Sequence, residues 1–163
     1  MTAMRLPPAA TMLLLSGSGM AVGLAIDCGA TPPALIAGLC TAAPASLAAT
    51  FRFHMTMMPA GYALTAVGSL LAVGLTTGTH RDAAAMAARL SCVALMLAGM
   101  IGGGWLAPHL AMRLGVTPGF GLLVAAMAAG MTLAAIAGAA VTHLAGMRDR
   151  ARRAAASQYI MYQ

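Results

Sequence analysis

The composition of this 163-residue chain excludes a soluble globular domain. Hydrophobic residues make up 61% of it and charged residues only 7%, and the mean hydropathy is +0.87. An average soluble domain is about 45–50% apolar and about 25% charged, so this chain lacks the polar side chains that cover a wetted surface. The same values exclude a disordered tail and a disulfide-rich secreted miniprotein. We therefore expect an all-α, polytopic transmembrane helical bundle.

Five stretches without a charged residue are long enough to cross a bilayer, which requires about 20 apolar residues. They are residues 6–26, 28–51, 53–80, 90–112 and 114–147. The second stretch contains Pro32, Pro33 and Pro44, and a proline inside a helix removes a backbone hydrogen bond. Because irregular backbone at membrane depth must be covered by protein or water, we expect 33–50 to be a re-entrant or interfacial helix. A weak fifth span is the alternative.

The distribution of arginine favours four spans over five. We place the spans near 9–26, 57–76, 90–107 and 119–145, within a single transmembrane domain over 1–147. With both termini inside, seven of the nine arginines lie on the cytoplasmic side, whereas the best five-span arrangement gives six against three. Since arginine in short loops marks the cytoplasmic side, the pattern predicts a multi-pass protein of a bacterial-type inner (plasma) membrane, with both termini cytoplasmic.

The last residues, 148–163, are predicted to form a basic cytoplasmic tail. Four of the nine arginines lie there, at positions 148, 150, 152 and 153, and no aromatic residue lies among them. Such a run is typical of a topological anchor that touches anionic lipid. It is too short to indicate binding to nucleic acid. The expected partner is therefore the lipid bilayer, and no nucleic acid.

Small residues recur at intervals of four on three of the predicted spans. Gly19 and Gly23 lie on the first, Gly99 and Gly103 on the third, and Gly130 begins a similar stripe on the fourth. Without a side chain, glycine lets two helix backbones approach closely, which drives packing inside a membrane. The pattern predicts a tight bundle, a homo-oligomer or a part of a larger membrane complex, without choosing among them.

No constellation for catalysis is visible, so we expect the protein not to be an enzyme. The sequence contains no HExxH, GxSxG or CxxC motif and no glutamate, and its three aspartates lie at predicted membrane boundaries. Paired carboxylates for acid–base chemistry are therefore missing. The absence of a carboxylate inside a predicted span also argues against a proton-coupled transporter.

Soft and borderline metal ligands gather at the predicted outer face. The candidate metal-binding residues are His54, Met57, Met58, His109, Met112, Cys28 and Cys40. On a helix, Met57 and Met58 would lie on the same side as His54, because they follow it by three and four positions. His109 and Met112 repeat the three-residue spacing. Thioether and thiolate select Cu(I), and imidazole also suits copper. Copper is therefore the expected ion, if a metal binds.

Each of these residues also has an ordinary structural interpretation. Methionine is a flexible apolar filler and is common in membrane helices, and an interfacial histidine can simply bind water or lipid headgroups. Cys28 and Cys40 could form a disulfide on the oxidising side, which would remove them as ligands. We therefore expect a small, non-catalytic integral inner-membrane protein that binds or passes copper at its outer face. An accessory or assembly subunit of a larger membrane protein complex is the alternative.

Overall fold

The computed structural model describes residues 7–41, 46–76, 83–117 and 119–161, and these residues form helices and short connections without a strand. The helices are α1 (Pro8–Ala30), α2 (Pro33–Thr41), α3 (Leu47–Met57), α4 (Pro59–Thr76), α5 (Ala83–Arg113) and α6 (Phe120–Met161). The expected all-α class is confirmed.

Four of these helices are long and apolar enough to cross a membrane. The qualifying segments are Pro8–Ala30, Pro59–Thr76, Met86–Arg113 and Phe120–Val141. Their ends lie within six residues of those of the four expected spans, so the chain is a multi-pass membrane protein. The first span continues past Asp27, where the sequence suggested an end, because the structure gives that carboxylate hydrogen-bond partners inside the bundle.

The predicted helix over 33–50 consists of two shorter helices, α2 and α3, and α3 extends to Met57. With 9 and 11 residues, neither is long enough to cross a bilayer alone. Ser46 begins α3 as an N-cap, since its hydroxyl accepts a hydrogen bond from the Ala49 N–H at 3.2 Å. Residues 42–45, which include Pro44, lie outside the described part of the chain.

Prolines set the beginnings of three helices. Pro8, Pro33 and Pro59 each stand at the first helical position, where the missing N–H has no intrahelical partner to lose. Between α3 and α4 only Met58 is non-helical. The chain therefore turns sharply there, and α3 lies against the amino end of α4.

Helices α1 and α4 form an antiparallel pair with touching backbones. A Cβ added at Gly19 would collide with the carbonyl of Leu64, and one added at Gly23 would collide with the carbonyl of Ala60. Between the same helices, the hydroxyls of Ser16 and Ser69 share a hydrogen bond of 2.7 Å. The small residues Gly19 and Gly23 therefore make contacts within the chain.

Helices α5 and α6 form a second antiparallel pair in the same way. Gly99 and Gly130 face each other so closely that a Cβ on either would strike the carbonyl of the other. Gly103 lies in the same relation to the carbonyl of Ala126. Because all these glycines have partners inside the bundle, they do not indicate a homo-oligomer.

Methionine makes up much of the core between the two helix pairs. Seven buried methionines belong to one cluster of buried residues: Met12, Met20, Met58, Met96, Met100, Met127 and Met131. Large apolar side chains such as Leu71, Leu75 and Leu133 instead face outward. This arrangement suits a bundle whose outer surface contacts lipid rather than water.

Helix α6 continues without a break from the fourth span to Met161. The predicted tail over 148–163 is therefore helical as far as residue 161, and it extends the last span rather than forming a separate element. Its position on the cytoplasmic side remains a prediction.

Candidate functional site

Residues from five helices meet at one end of the bundle. The carboxyl ends of α1 and α5 lie there with the amino ends of α4 and α6, because both helix pairs are antiparallel. Helix α3 completes this end, where His54 contacts Tyr62 of α4 and packs at Gly104 of α5. We call it the α3 end. His54, Cys28 and His109 all lie toward it.

Asp27, near the carboxyl end of α1, is buried, with 5% of its surface exposed. Its Oδ1 accepts a hydrogen bond from the Ala60 N–H at 3.1 Å, and its Oδ2 accepts one from the Gly61 N–H at 2.7 Å. The first N–H groups of a helix have no intrahelical acceptors and carry partial positive charge. Asp27 therefore caps α4 from a neighbouring helix.

This burial corrects the expectation that no span contains a buried carboxylate. Sequence reasoning placed Asp27 at a boundary and assigned it no role. Aspartate is a strong N-cap residue, but its acceptor role here joins residues 33 and 34 positions apart. No local pattern in the sequence signals such a cap.

His54 is the most deeply buried titratable side chain at this end, with 1% exposure. Its Nδ1 lies 2.9 Å from the Tyr62 hydroxyl oxygen. The ring occupies the space that the absent side chain of Gly104 leaves, since a Cβ there would lie 2.5 Å from His54 Cε1. The same Cβ would lie 3.3 Å from Met127 Cγ. The imidazole and the Met127 side chain are therefore neighbours.

Burial also controls the protonation of this ring. Desolvation lowers the pKa of His54 from 6.5 to about 4, so the imidazole is neutral at physiological pH. When Nδ1–H donates to the Tyr62 oxygen, Nε2 presents a lone pair, and this tautomer can bind a metal ion. A neutral imidazole held by a second hydrogen bond is the usual form of a histidine ligand.

Two candidate methionines follow His54 in the chain, and they differ in burial. Met58, four positions after the histidine, is the non-helical residue that follows α3, and it is fully buried, at 0% exposure. Met57 is partly buried and packs against the core. Sequence reasoning did not select Met127, because its closeness to His54 depends on how α6 packs against α5.

The second candidate histidine has a different environment. His109 is partly buried, and its Nδ1 donates to the Trp105 carbonyl at 2.7 Å within the same helix. Its ring lies 4.6 Å from the Trp105 ring, centroid to centroid. Trp105 Nε1 is buried and has no hydrogen-bond partner within the described residues. Met112, three positions after His109, is 51% exposed and so faces outward.

The candidate cysteines add little to the site as described. Cys28 is a partly buried free thiol in the last turn of α1, and the side chain of Cys40 lies outside the described residues. Their pairing stays a hypothesis. Among the described residues, no three side chains of the His, Cys, Asp and Glu types are grouped to hold a metal ion. Any soft-metal site here would therefore depend on thioethers.

Comparison with known proteins does not supply a function. No protein-family model, curated protein or solved structure matches this chain. The side chains of the α3 end are accordingly the basis for a proposed function.

Proposed function

We propose that this multi-pass membrane protein binds one Cu(I) ion at the α3 end, with His54 Nε2 as the anchoring ligand. The observation that carries the proposal is a buried imidazole whose Nδ1 lies 2.9 Å from the Tyr62 hydroxyl oxygen, beside Met127 and four positions before the buried Met58. The arginine distribution supports a bacterial-type inner membrane with this end facing outward.

The chemistry of the surrounding side chains favours a soft ion over a hard one. Thioethers and imidazole suit Cu(I), whereas Mg²⁺ and Ca²⁺ require oxygen ligands. The carboxylate at this end, Asp27, already accepts two backbone hydrogen bonds. A monovalent soft ion needs no further carboxylate, so the cap on α4 can stay intact when the ion binds.

Packing alone is the competing explanation for the same residues. A buried histidine bonded to a tyrosine stabilises a helix contact without any ligand, and methionine fills irregular space in cores. The two explanations differ in one measurable respect. Only a metal site gives a stoichiometric, retained Cu(I) ion that depends on His54 Nε2 and on sulfur.

The test is the copper content of the purified protein after anaerobic incubation with Cu(I) and desalting against a weak chelator. We expect about one bound ion per chain for a site of this kind. His54→Ala and the pair Met58→Leu with Met127→Leu should each lose it. The matched control is Met55→Leu, on the same helix, because Met55 is 41% exposed.

Two results would overturn the proposal. One is a folded, monodisperse wild-type protein that retains no copper, which would favour the accessory-subunit alternative and a search for a co-purifying partner. The other is His54→Ala that retains the ion with unchanged affinity. If copper depends on His109 or Cys28 instead of His54, the ion binds at this end but the anchoring ligand is wrong.

A further inference from the structure

We infer that Cu(I) leaves His54 along a line of buried methionines of α5 and α6, in the core between the two helix pairs, so that the protein conducts the ion toward the opposite end of the bundle. This inference rests on the proposed function. It adds to Met127 three methionines that lie below the binding site and that the binding proposal does not use: Met96, Met100 and Met131.

The line begins at Gly104, over which His54 packs. Met100 and Met96 lie one and two turns from Gly104 along α5, on the same side of the helix, and both are 0% exposed. Each step of four residues advances about 6 Å along the helix axis. The two thioethers therefore lie below His54 in one file toward the middle of the bundle.

Helix α6 contributes a second file that interleaves with the first. Met127 and Met131 are one turn apart, with 1% and 4% exposure. The contacts of Gly99 with Gly130 and of Gly103 with Ala126 fix the antiparallel register. In this register Met127 lies between the levels of Gly104 and Met100, and Met131 lies between the levels of Met100 and Met96. The methionines of the two helices therefore alternate in level along the bundle.

Sulfur also continues below Met96. Cys92 lies one turn further along α5, and its Sγ lies 3.1 Å from the position of a Cβ on Gly138. Met86, at the start of the third span, packs against the same core. Both side chains are partly buried. Sulfur-containing side chains are therefore spaced along α5 from the α3 end toward the opposite end of the bundle.

The chemistry of transfer between thioethers is simple. Cu(I) would exchange one neutral sulfur ligand for the next, so no electron is transferred and no proton is released between methionines. Methionine has three rotatable side-chain bonds and a polarizable sulfur, which lets one ion be held by two residues in turn. An apolar core of leucine would pack equally well but would offer a cation no ligand.

The experiment measures Cu(I) uptake into proteoliposomes that contain a trapped Cu(I) chelator, alongside the bound copper of the same protein in detergent. Met96→Leu with Met100→Leu conserves volume but removes two thioethers from the line. We expect uptake to fall to the rate of protein-free liposomes while the bound copper at His54 stays unchanged. The control is Met55→Leu with Met147→Leu, since both residues are exposed, at 41% and 46%.

The outcomes separate this inference from the proposed function. Wild-type uptake in the Met96/Met100 variant would overturn the sulfur line, and so would wild-type protein that binds copper without uptake. Unchanged copper binding in His54→Ala would instead overturn the binding site. If the double variant does not fold, Met131→Leu alone tests the same line, and it should reduce uptake with binding retained.

Discussion

Asp27 accepts a hydrogen bond from the Gly61 N–H at 2.7 Å, across 34 positions of the chain. The contact fixes the carboxyl end of α1 to the amino end of α4, and α4 also carries Tyr62. Because Tyr62 bonds to His54, the cap on α4 indirectly sets the position of the candidate ligand. Asp27 therefore joins α1 to the helix that carries the hydrogen-bond partner of the candidate ligand.

Replacement of Asp27 by alanine should destabilise the bundle. It would leave the N–H groups of Ala60 and Gly61 without their acceptor in a buried place, and each such group costs about 1–3 kcal/mol. Asp27→Asn keeps one acceptor oxygen and should cost less. Thermal unfolding in detergent measures both effects. Ser46→Ala, which removes the exposed cap of α3, is the control and should cost about 1 kcal/mol.

A larger residue at Gly99 should separate α5 from α6. In Gly99→Ala, the new Cβ meets the carbonyl of Gly130 and lies 2.8 Å from Ala134 Cβ, so the helices must move apart. Overpacking of this kind costs about 1–3 kcal/mol. The matched control is Gly102→Ala on the same helix, because nothing lies within 4 Å of its added Cβ. That variant should be neutral or more stable, since alanine favours helix by about 1 kcal/mol over glycine.

Equal thermal stability of the Gly99 and Gly102 variants would contradict the backbone contact between α5 and α6. It would also remove the basis for the register that interleaves Met127 and Met131 with Met100. The comparison therefore tests the packing on which the sulfur line depends, and it does so without copper.

The spans could be predicted from the sequence because their signals are local. The length of apolar stretches and the positions of the arginines need no knowledge of packing, and the four spans follow from them. The expectation that Met58 shares a helix face with His54 also comes from local spacing, but α3 ends at Met57. In contrast, the roles of Asp27 and Met127 depend on which helices become neighbours. The chain pairs α1 with α4, with α2 and α3 between them in sequence, and nothing local encodes that choice.

Acidification should destabilise the protein through His54. Its pKa is about 4 in the fold and 6.5 as the reference value, so the unfolded chain binds a proton more readily than the folded one. The stabilising effect of the neutral ring is fully present above pH 6.5 and is lost as the pH falls toward 4. The total is on the order of 3 kcal/mol. Thermal unfolding of wild type at pH 7.5 and pH 5 measures the loss.

The control for this effect is His54→Asn, which cannot titrate but can still offer Tyr62 a polar partner. Its unfolding temperature should change less between the two pH values than that of wild type. If wild type and His54→Asn show the same change in unfolding temperature with pH, His54 is not the group responsible. Copper retention should fall only near pH 4, where protons begin to compete with the metal for the imidazole of the folded protein.

Removal of the Tyr62 hydroxyl should weaken copper binding without abolishing it. In Tyr62→Phe, the His54 Nδ1 loses its partner at 2.9 Å, so neither the tautomer nor the ring orientation is fixed. Loss of such a supporting hydrogen bond typically reduces metal affinity by about 10–100-fold. Competition with a Cu(I) chelator of known affinity measures the change. Phe51→Leu is the control, because the Phe51 ring packs edge-on at 6.5 Å from the Tyr62 ring and its replacement alters packing but leaves the hydroxyl. If the two variants weaken Cu(I) equally, the contribution of Tyr62 is packing, and the hydrogen bond does not orient a ligand.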